Sequence, residues 1–205
     1  MDGVHDPWLQ LLVADGDALE SAVLAVTQRI YGFFVNKVGD RADELTQATF
    51  HRVLQVRSGY RGGNPRSYVF GIAKLVMYEH LRKLQRDQTV PIEEVSAAAI
   101  DPRPSSVVVA RAEGRVVLEA LRRLPLKSQI VLELYYWEGM NDREIAEVLS
   151  SNANTVRGRR THARKQMGTL LADLEAQPAP ASTSMDFERW ARAVREHVYG
   201  QAKAR

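Results

Sequence analysis

Between Asn141 and Arg160 the chain reads Asn-Asp-Arg-Glu-Ile-Ala-Glu-Val-Leu-Ser-Ser-Asn-Ala-Asn-Thr-Val-Arg-Gly-Arg-Arg, and few folds accept that order of residues. Ile145, Ala146 and Leu149 lie on one face of a short helix. Ala146 is small where a second helix must approach closely. Ser150 and Ser151 permit a tight turn, and Asn152 is suited to cap the helix that follows, its side chain accepting from an otherwise unpaired backbone N–H. Val156 then packs back onto the first helix. The pattern is a helix-turn-helix. It leaves Asn154, Arg157, Gly158, Thr161 and His162 near the outer N-terminal face, where a recognition helix meets base edges. An arginine there can read guanine through O6 and N7, worth about 1–3 kcal/mol of discrimination. Arg159, Arg160, Arg164 and Lys165 are expected to hold phosphates, which position the helix without specifying sequence.

The charge distribution agrees with that reading. The formal net charge is only +3 and the pI about 9.3, so location matters more than total. From Asn154 to Lys165 there are Arg157, Arg159, Arg160, Arg164 and Lys165 and no acid. From Lys74 to Arg86 there are Lys74, Arg82, Lys83 and Arg86 against Glu79 alone. Two separate basic segments point to two contacts with one long polyanion.

Other classes of function find little support. The chain has no cysteine, which removes disulfide scaffolds, thiolate zinc sites and cysteine catalysis and suits a reducing compartment. His5, His51, His80, His162 and His197 show no metal-ligand spacing. Gly59–Gly63 is glycine-rich but lacks the Lys-Ser/Thr of a phosphate loop, and no catalytic triad stands out. The expectation is a protein that is not an enzyme and takes no cofactor or metal. Met1–Leu12 carries Asp2 and Asp6 and does not read as a secretory signal. No stretch approaches the ~18 apolar residues that span a bilayer, so no membrane insertion is expected.

Apolar spacing near 3.6 recurs along the chain and no segment keeps a period of two, so the expected class is all-α. Asp17 is expected to cap a helix through Leu19, Val23, Val26, Ile30 and Phe33/Phe34 that ends at Gly39. A second helix is expected over 40–56, with Leu45, Phe50, Val53 and Leu54 as its apolar positions. Ser58–Pro65 reads as a loop. A third helix is expected over 66–85, with Val69, Ile72, Ala73, Val76 and Leu84 buried. Residues 88–106, with Pro91, Pro102, Pro104 and Ala97–Ala99, read as a linker. Helices follow over 107–124, 127–137, 142–149 and 152–174. Residues 177–184 read as a second flexible linker, and 186–199 as a short amphipathic helix carrying Phe187, Trp190, Val194 and Val198. The organisation expected is two small helical domains, 1–87 and 107–176, joined by the linker 88–106, with a tail 177–205 of unassigned role.

Several motifs in the C-terminal half occur together: Ala120-Leu-Arg-Arg-Leu-Pro125, Gln129-Ile-Val-Leu-Glu-Leu-Tyr-Tyr-Trp-Glu-Gly139, Ile145-Ala-Glu-Val-Leu149 and Thr155-Val-Arg157. Together they resemble domain 4 of the sigma-70 family, in its small extracytoplasmic-function branch. The resemblance implies recognition of a promoter −35 element by Asn154, Thr155, Arg157, Arg159, Arg160, Thr161, His162, Arg164 and Lys165, and a seat on the flap of the polymerase β subunit.

The N-terminal half extends the resemblance. Asp40-Arg-Ala-Asp-Glu-Leu-Thr-Gln-Ala-Thr-Phe50 is similar to the family's region 2.2, the helix that binds the clamp coiled coil of the polymerase β′ subunit, with Glu44, Leu45, Gln47 and Phe50 at matching positions. Where the family usually has an acid after the Gln, this chain has Ala48. Tyr60-Arg-Gly-Gly-Asn-Pro-Arg-Ser-Tyr-Val-Phe-Gly-Ile-Ala-Lys74 and Glu79-His-Leu-Arg82 resemble regions 2.3 and 2.4, which capture the −10 element. Opening a promoter without ATP requires that melting be offset by binding the exposed strand, and stacking contributes ~1–3 kcal/mol per base. Tyr60, Arg61 and Asn64 are the expected base pocket, with Arg66 beside it. Lys74, Tyr78, Arg82 and Arg86 recur about every four residues and are the expected phosphate track. Leu75 stands where the family often has Asn, and Tyr68 where it usually has Trp, so base choice at −10 is expected to differ.

The implied protein is a cytoplasmic promoter-specificity subunit that binds core RNA polymerase and promoter DNA. An anti-sigma protein is the implied regulator and a route to the inner membrane face. The competing reading is a stand-alone helix-turn-helix regulator that acts on DNA without polymerase. Such a regulator would need a sensing or dimerisation unit in the N-terminal half.

Overall fold

The computed structural model describes residues 6–85, 90–100 and 112–175. Among them the regular structure is helical and there is no β-strand. The helices are α1 (Pro7–Val13), α2 (Gly16–Val38), α3 (Ala42–Val56), α4 (Pro65–Leu84), α5 (Ala97–Ile100), α6 (Ala112–Arg123), α7 (Leu126–Tyr136), α8 (Asp142–Leu149) and α9 (Ala153–Glu175). No described helix is long and apolar enough to cross a membrane.

Local chemistry sets most of the boundaries. The Asp6 side chain accepts from the Trp8 N–H at 2.9 Å, with Pro7 in the first turn, and starts α1. Sequence periodicity did not reveal this short helix, although Asp-Pro was its signal. The N-cap of α2 is Asp15, with Asp17 inside the first turn, where a carboxylate favours the positive end of the helix. The cap is thus two residues earlier than expected. Gly39 ends α2 at φ 52°, a conformation that favours glycine. Residues 39–41 then form a 3₁₀ turn, so α3 starts at Ala42 rather than at residue 40.

Helices α1–α4 enclose Trp8, Leu11, Val26, Ile30, Phe33, Phe34, Phe70 and Met77. Trp8 and Phe70 pack with ring centroids 5.3 Å apart. The same cluster continues without a break into Leu126, Ile130 and Val131 of α7 and Ile145, Ala146 and Val148 of α8. A second cluster joins Val117, Leu121, Leu124, Leu132, Ala163 and Met167 of α6, α7 and α9. The two halves therefore share a core. From Gly32 to Gly39 every residue of the α2 C-terminal half is buried, because α1, α3 and α4 cover one side and the C-terminal half covers the other.

Part of the expected linker is also packed. Ile92, Val95 and Ala97 are buried, and the Leu126 N–H donates to the Val95 carbonyl at 2.8 Å. Leu84, expected in the core, is 61% exposed, because it falls in the last turn of α4, beyond the cover of its neighbours. Leu54, also expected on the apolar face of its helix, is 39% exposed. The expected tail helix over 186–199 lies outside the described residues, as does Arg86.

Candidate nucleic-acid interface

The helix-turn-helix is built by α8 and α9. Asn141 and Glu144 form a reciprocal capping box: Asn141 Oδ1 accepts from the Glu144 N–H at 3.1 Å, and Glu144 Oε2 accepts from the Asn141 N–H at 2.7 Å. Ile145, Ala146, Leu149 and Val156 are buried together between the two helices. Ser150 makes the turn at φ 51°, and its N–H donates to the Glu147 carbonyl at 3.2 Å. Asn152 Oδ1 accepts from the Thr155 N–H at 2.9 Å and starts α9.

That geometry turns Asn154, Thr155, Arg157, Thr161, His162, Arg164 and Lys165 to the exposed side of α9. Arg157 is 67% exposed and only loosely paired, its Nε 3.4 Å from Asp142 Oδ2. Arg160, expected on phosphate, is held elsewhere. Its Nε and Nη2 donate to the two oxygens of Asp142 at 3.0 and 3.1 Å, and its guanidinium lies 4.1 Å from the Tyr135 ring centre. It braces α9 against α7 and α8, and these hydrogen bonds hold the Asp142 carboxyl below its ordinary range. Arg159 is half-buried, 3.8 Å from Glu94.

The loop before α4 is held by its own polar groups. Gly62 and Gly63 take φ 95° and 96°, which a side chain would strain. The Tyr60 hydroxyl donates to the Gly63 carbonyl at 2.8 Å, and its ring meets Tyr68 edge-on at 5.3 Å. Arg61 Nη1 donates to the Ser58 carbonyl at 2.5 Å. Asn64 caps α4, accepting from the Ser67 N–H at 2.9 Å.

Part of the expected −10 face is covered by the C-terminal half. Asn64 Nδ2 donates to Glu144 Oε1 at 2.7 Å, and Arg66 Nη2 lies 3.3 Å from the same oxygen. Arg66 Nη1 donates to the Glu138 carbonyl at 2.9 Å. Ser67 Oγ donates to the Glu144 carbonyl at 3.1 Å. Lys74, 8% exposed, donates to the Val148 carbonyl at 2.7 Å, and burial lowers the pKa of its ammonium. Tyr78 is buried too, and burial raises its phenol pKa. Of the expected phosphate track, Arg82 is exposed, whereas Lys74 reaches α8 and Tyr78 is buried. Leu75, by contrast, is exposed. Between the loop and α8 lies a cavity of about 370 Å³, lined by Gly63, Asn64, Tyr68, Leu75, Glu147 and Val148 among others.

On α3, Glu44 and Gln47 are exposed and Phe50 is half-buried. Leu45, expected at a polymerase contact, is instead buried in the core, because its position in the helix faces inward with Thr49 and Val53. Glu44 accepts from Arg41 Nη1 at 3.0 Å.

Residues 21–87 match the family model for Sigma-70 region 2, and residues 114–167 match that for Sigma-70, region 4. The chain belongs to the sigma-70 family. Its relatives fall in the extracytoplasmic-function branch. It is 24% identical over 165 residues to the ECF RNA polymerase sigma factor BldN of Streptomyces coelicolor, covering 78% of this chain and 62% of that protein. It is 26% identical over 158 residues to the ECF RNA polymerase sigma factor SigE of Mycolicibacterium smegmatis, covering 75% and 62%. It is 24% identical over 157 residues to the ECF RNA polymerase sigma factor SigK of a Mycobacterium species (strain KMS), covering 73% and 81%. The chain thus spans about 62% of the length of the first two relatives.

Within this sigma-70 family chain, region 2 and region 4 are joined by charged contacts that residue spacing did not reveal. Lys37 of α2 donates to Glu133 Oε2 of α7 and to the Phe33 carbonyl. Gln129 Nε2 and Asn36 Nδ2 donate to the other Glu133 oxygen at 2.9 and 3.4 Å. Burial pushes the Lys37 ammonium down and the Glu133 carboxyl up, each opposed by the charge of the other. Arg29 donates to Glu138 and lies 5.1 Å from the Trp8 ring centre. Arg122 Nη1 donates to the Asn36 carbonyl at 2.9 Å. The available signal was a lone lysine in Phe-Phe-Val-Asn-Lys-Val and a lone glutamate in Ile-Val-Leu-Glu-Leu, two opposite charges inside apolar runs.

Proposed function

We propose that the chain is a non-catalytic, extracytoplasmic-function-type sigma factor that binds core RNA polymerase and directs promoter-specific initiation. The observation that carries the reading is the region 2 match over residues 21–87, which lies where a stand-alone regulator would need a sensing or dimerisation unit. Region 4 supports it with a recognition helix whose Asn154, Arg157, Thr161 and His162 are exposed.

In this reading Arg157, Thr161 and His162 read the −35 element, and Arg164 and Lys165 hold phosphates. Glu44, Gln47 and the half-buried Phe50 meet the β′ clamp, and region 4 sits on the β flap. Tyr60, Arg61 and Asn64 receive an unstacked −10 base, whose extrusion costs a few kcal/mol. The fixed separation of the two regions on polymerase measures the promoter spacer. An anti-sigma protein restrains the factor in the cytoplasm by occluding these surfaces.

The test is run-off transcription with core polymerase on a randomised promoter library, alongside gel shifts with and without core enzyme. The expected result is selection of a −35/−10 pair that depends on both the chain and core. Specific duplex binding by the chain alone, unchanged by core enzyme, would overturn the proposal.

A further inference from the structure

Gly71 lies in the interior of α4, where glycine is disfavoured against alanine, and the fold does not require it there. It carries no positive φ, and a Cβ at this position would meet no neighbour within 4 Å. Gly158 and Gly168 of α9 have the same freedom, but they lie on exposed surface. Gly71 is half-buried and lines the cavity of about 370 Å³ beside the Tyr60–Asn64 loop. Its missing side chain therefore leaves room inside a recess.

Two side chains on the same face of α4 bound that room. Tyr68 lies one turn before Gly71 and Leu75 one turn after it, and both line the cavity. The Tyr68 ring is held at two points. Its hydroxyl donates to the Val56 carbonyl at 3.2 Å, and the ring meets Tyr60 edge-on at 5.3 Å between centres. Leu75 is 48% exposed, an aliphatic side chain that the packing leaves open. The polar groups of Asn64 and Lys74 in the same recess already hold Glu144 and Val148. An aromatic wall, a bare stretch of helix backbone and an aliphatic edge suit a flat ring that carries a methyl group. Among the DNA bases thymine presents one, at C5. Leu75 neither donates nor accepts a hydrogen bond, so it tells bases apart by apolar contact alone.

We propose that Tyr68, Gly71 and Leu75 form a second base-reading surface beside the Tyr60–Asn64 loop, and that it selects thymine at one position of the −10 strand through the 5-methyl group. The proposal rests on the reading of that loop and α4 as the −10 site. Gly71 lets the base lie close against the backbone of α4, the Tyr68 ring borders it, and Leu75 covers the methyl. Cytosine and uracil fit the same space but leave Leu75 without its contact.

The test uses holoenzyme assembled from core polymerase and the full chain, on the promoter that the randomised library selects. Each thymine of its −10 strand is replaced singly by deoxyuridine, which lacks only the methyl, and heparin-resistant open complexes are measured. At one thymine the change is expected to lose about fourfold, the worth of one buried methyl group. Leu75→Asn is expected to remove that difference between thymine and deoxyuridine. Gly71→Ala is expected to raise the thermal unfolding midpoint of the free chain, to keep its affinity for core polymerase, and to weaken capture of the same promoter. Gly71→Ala that lowers the unfolding midpoint assigns Gly71 to the fold and removes it from the surface. Equal tolerance of deoxyuridine at every position, a selected −10 element without thymine, or a methyl preference that survives Leu75→Asn overturns the proposal. If Tyr60→Ala/Asn64→Ala still impairs open-complex formation after such a result, the −10 reading stands without this surface. If those substitutions also change nothing, both fall.

Discussion

Lys37 and Glu133 stand 96 residues apart in sequence and form an ion pair closed to solvent between α2 and α7. The pair is buried, and in such a place an ion left without its partner is far costlier than the pair is favourable. Lys37→Met is therefore expected to destabilise the chain by about 3–5 kcal/mol. Lys37→Met/Glu133→Leu is expected to recover most of that loss. Recovery stays incomplete because Asn36 and Gln129 lose the acceptor they share. Urea denaturation followed by circular dichroism checks both. Equal losses in the single and double variants would show that packing, not the uncompensated charge, dominates.

The two ends of α8 allow changes of opposite sign, Asn141 capping its start and Ser150 its end. Asn141→Ala removes the side-chain acceptor for the Arg143 and Glu144 N–H groups and should cost about 1 kcal/mol, whereas Asn141→Ser should cost little. Ser150 occupies φ 51°, a conformation that costs a non-glycine residue about 1 kcal/mol or more. Ser150→Gly is expected to raise stability by up to about 1 kcal/mol, the gain being reduced by the greater freedom of glycine in the unfolded chain. Thermal unfolding of the three variants against the wild type reads these shifts.

The helix-turn-helix was legible from residue order because its determinants are local. Ile145, Ala146, Leu149 and Val156 need only each other to define the crossing, and α8 spans the residues expected from their spacing. The α4 stripe was legible only in part. A spacing of four places Lys74, Tyr78 and Arg82 on one face, but it does not say what covers that face. In the fold α8 covers Lys74, and Tyr78 is buried with it. Leu45 raised the converse difficulty, since a residue matched to a partner surface can equally be core, and here it is. Contacts such as Asn64–Glu144 join residues that are 80 positions apart, and no periodicity encodes them.

Asp142 gives the α8–α9 junction a specific dependence on pH. The Arg160 hydrogen bonds hold its folded pKa below the ordinary Asp value of about 3.9. Its contribution is therefore complete above that value and is lost as pH falls through the lower, folded pKa. The difference in stability between the wild type and Asp142→Asn is expected to be constant near neutrality and to shrink below about pH 4. Urea midpoints measured across that range check it. A gap that widens on acidification would mean that another group controls the junction.

Arg157 and Lys165 share the exposed side of α9 but should fail in different ways when truncated. Arg157 lies in the second turn of the helix, where side chains reach base edges, and only a 3.4 Å contact to Asp142 restrains it. Arg157→Ala is expected to cost about 1–3 kcal/mol on the preferred −35 sequence and to relax the preference at one position. Lys165 lies two turns further on. Lys165→Ala is expected to weaken all sequences alike and to lower the slope of log affinity against log salt by about 1. Holoenzyme binding to promoter variants across a salt series separates the two effects, and affinity for core polymerase should be unchanged in both. Loss of core binding by Arg157→Ala would move that residue from the DNA face to the polymerase face.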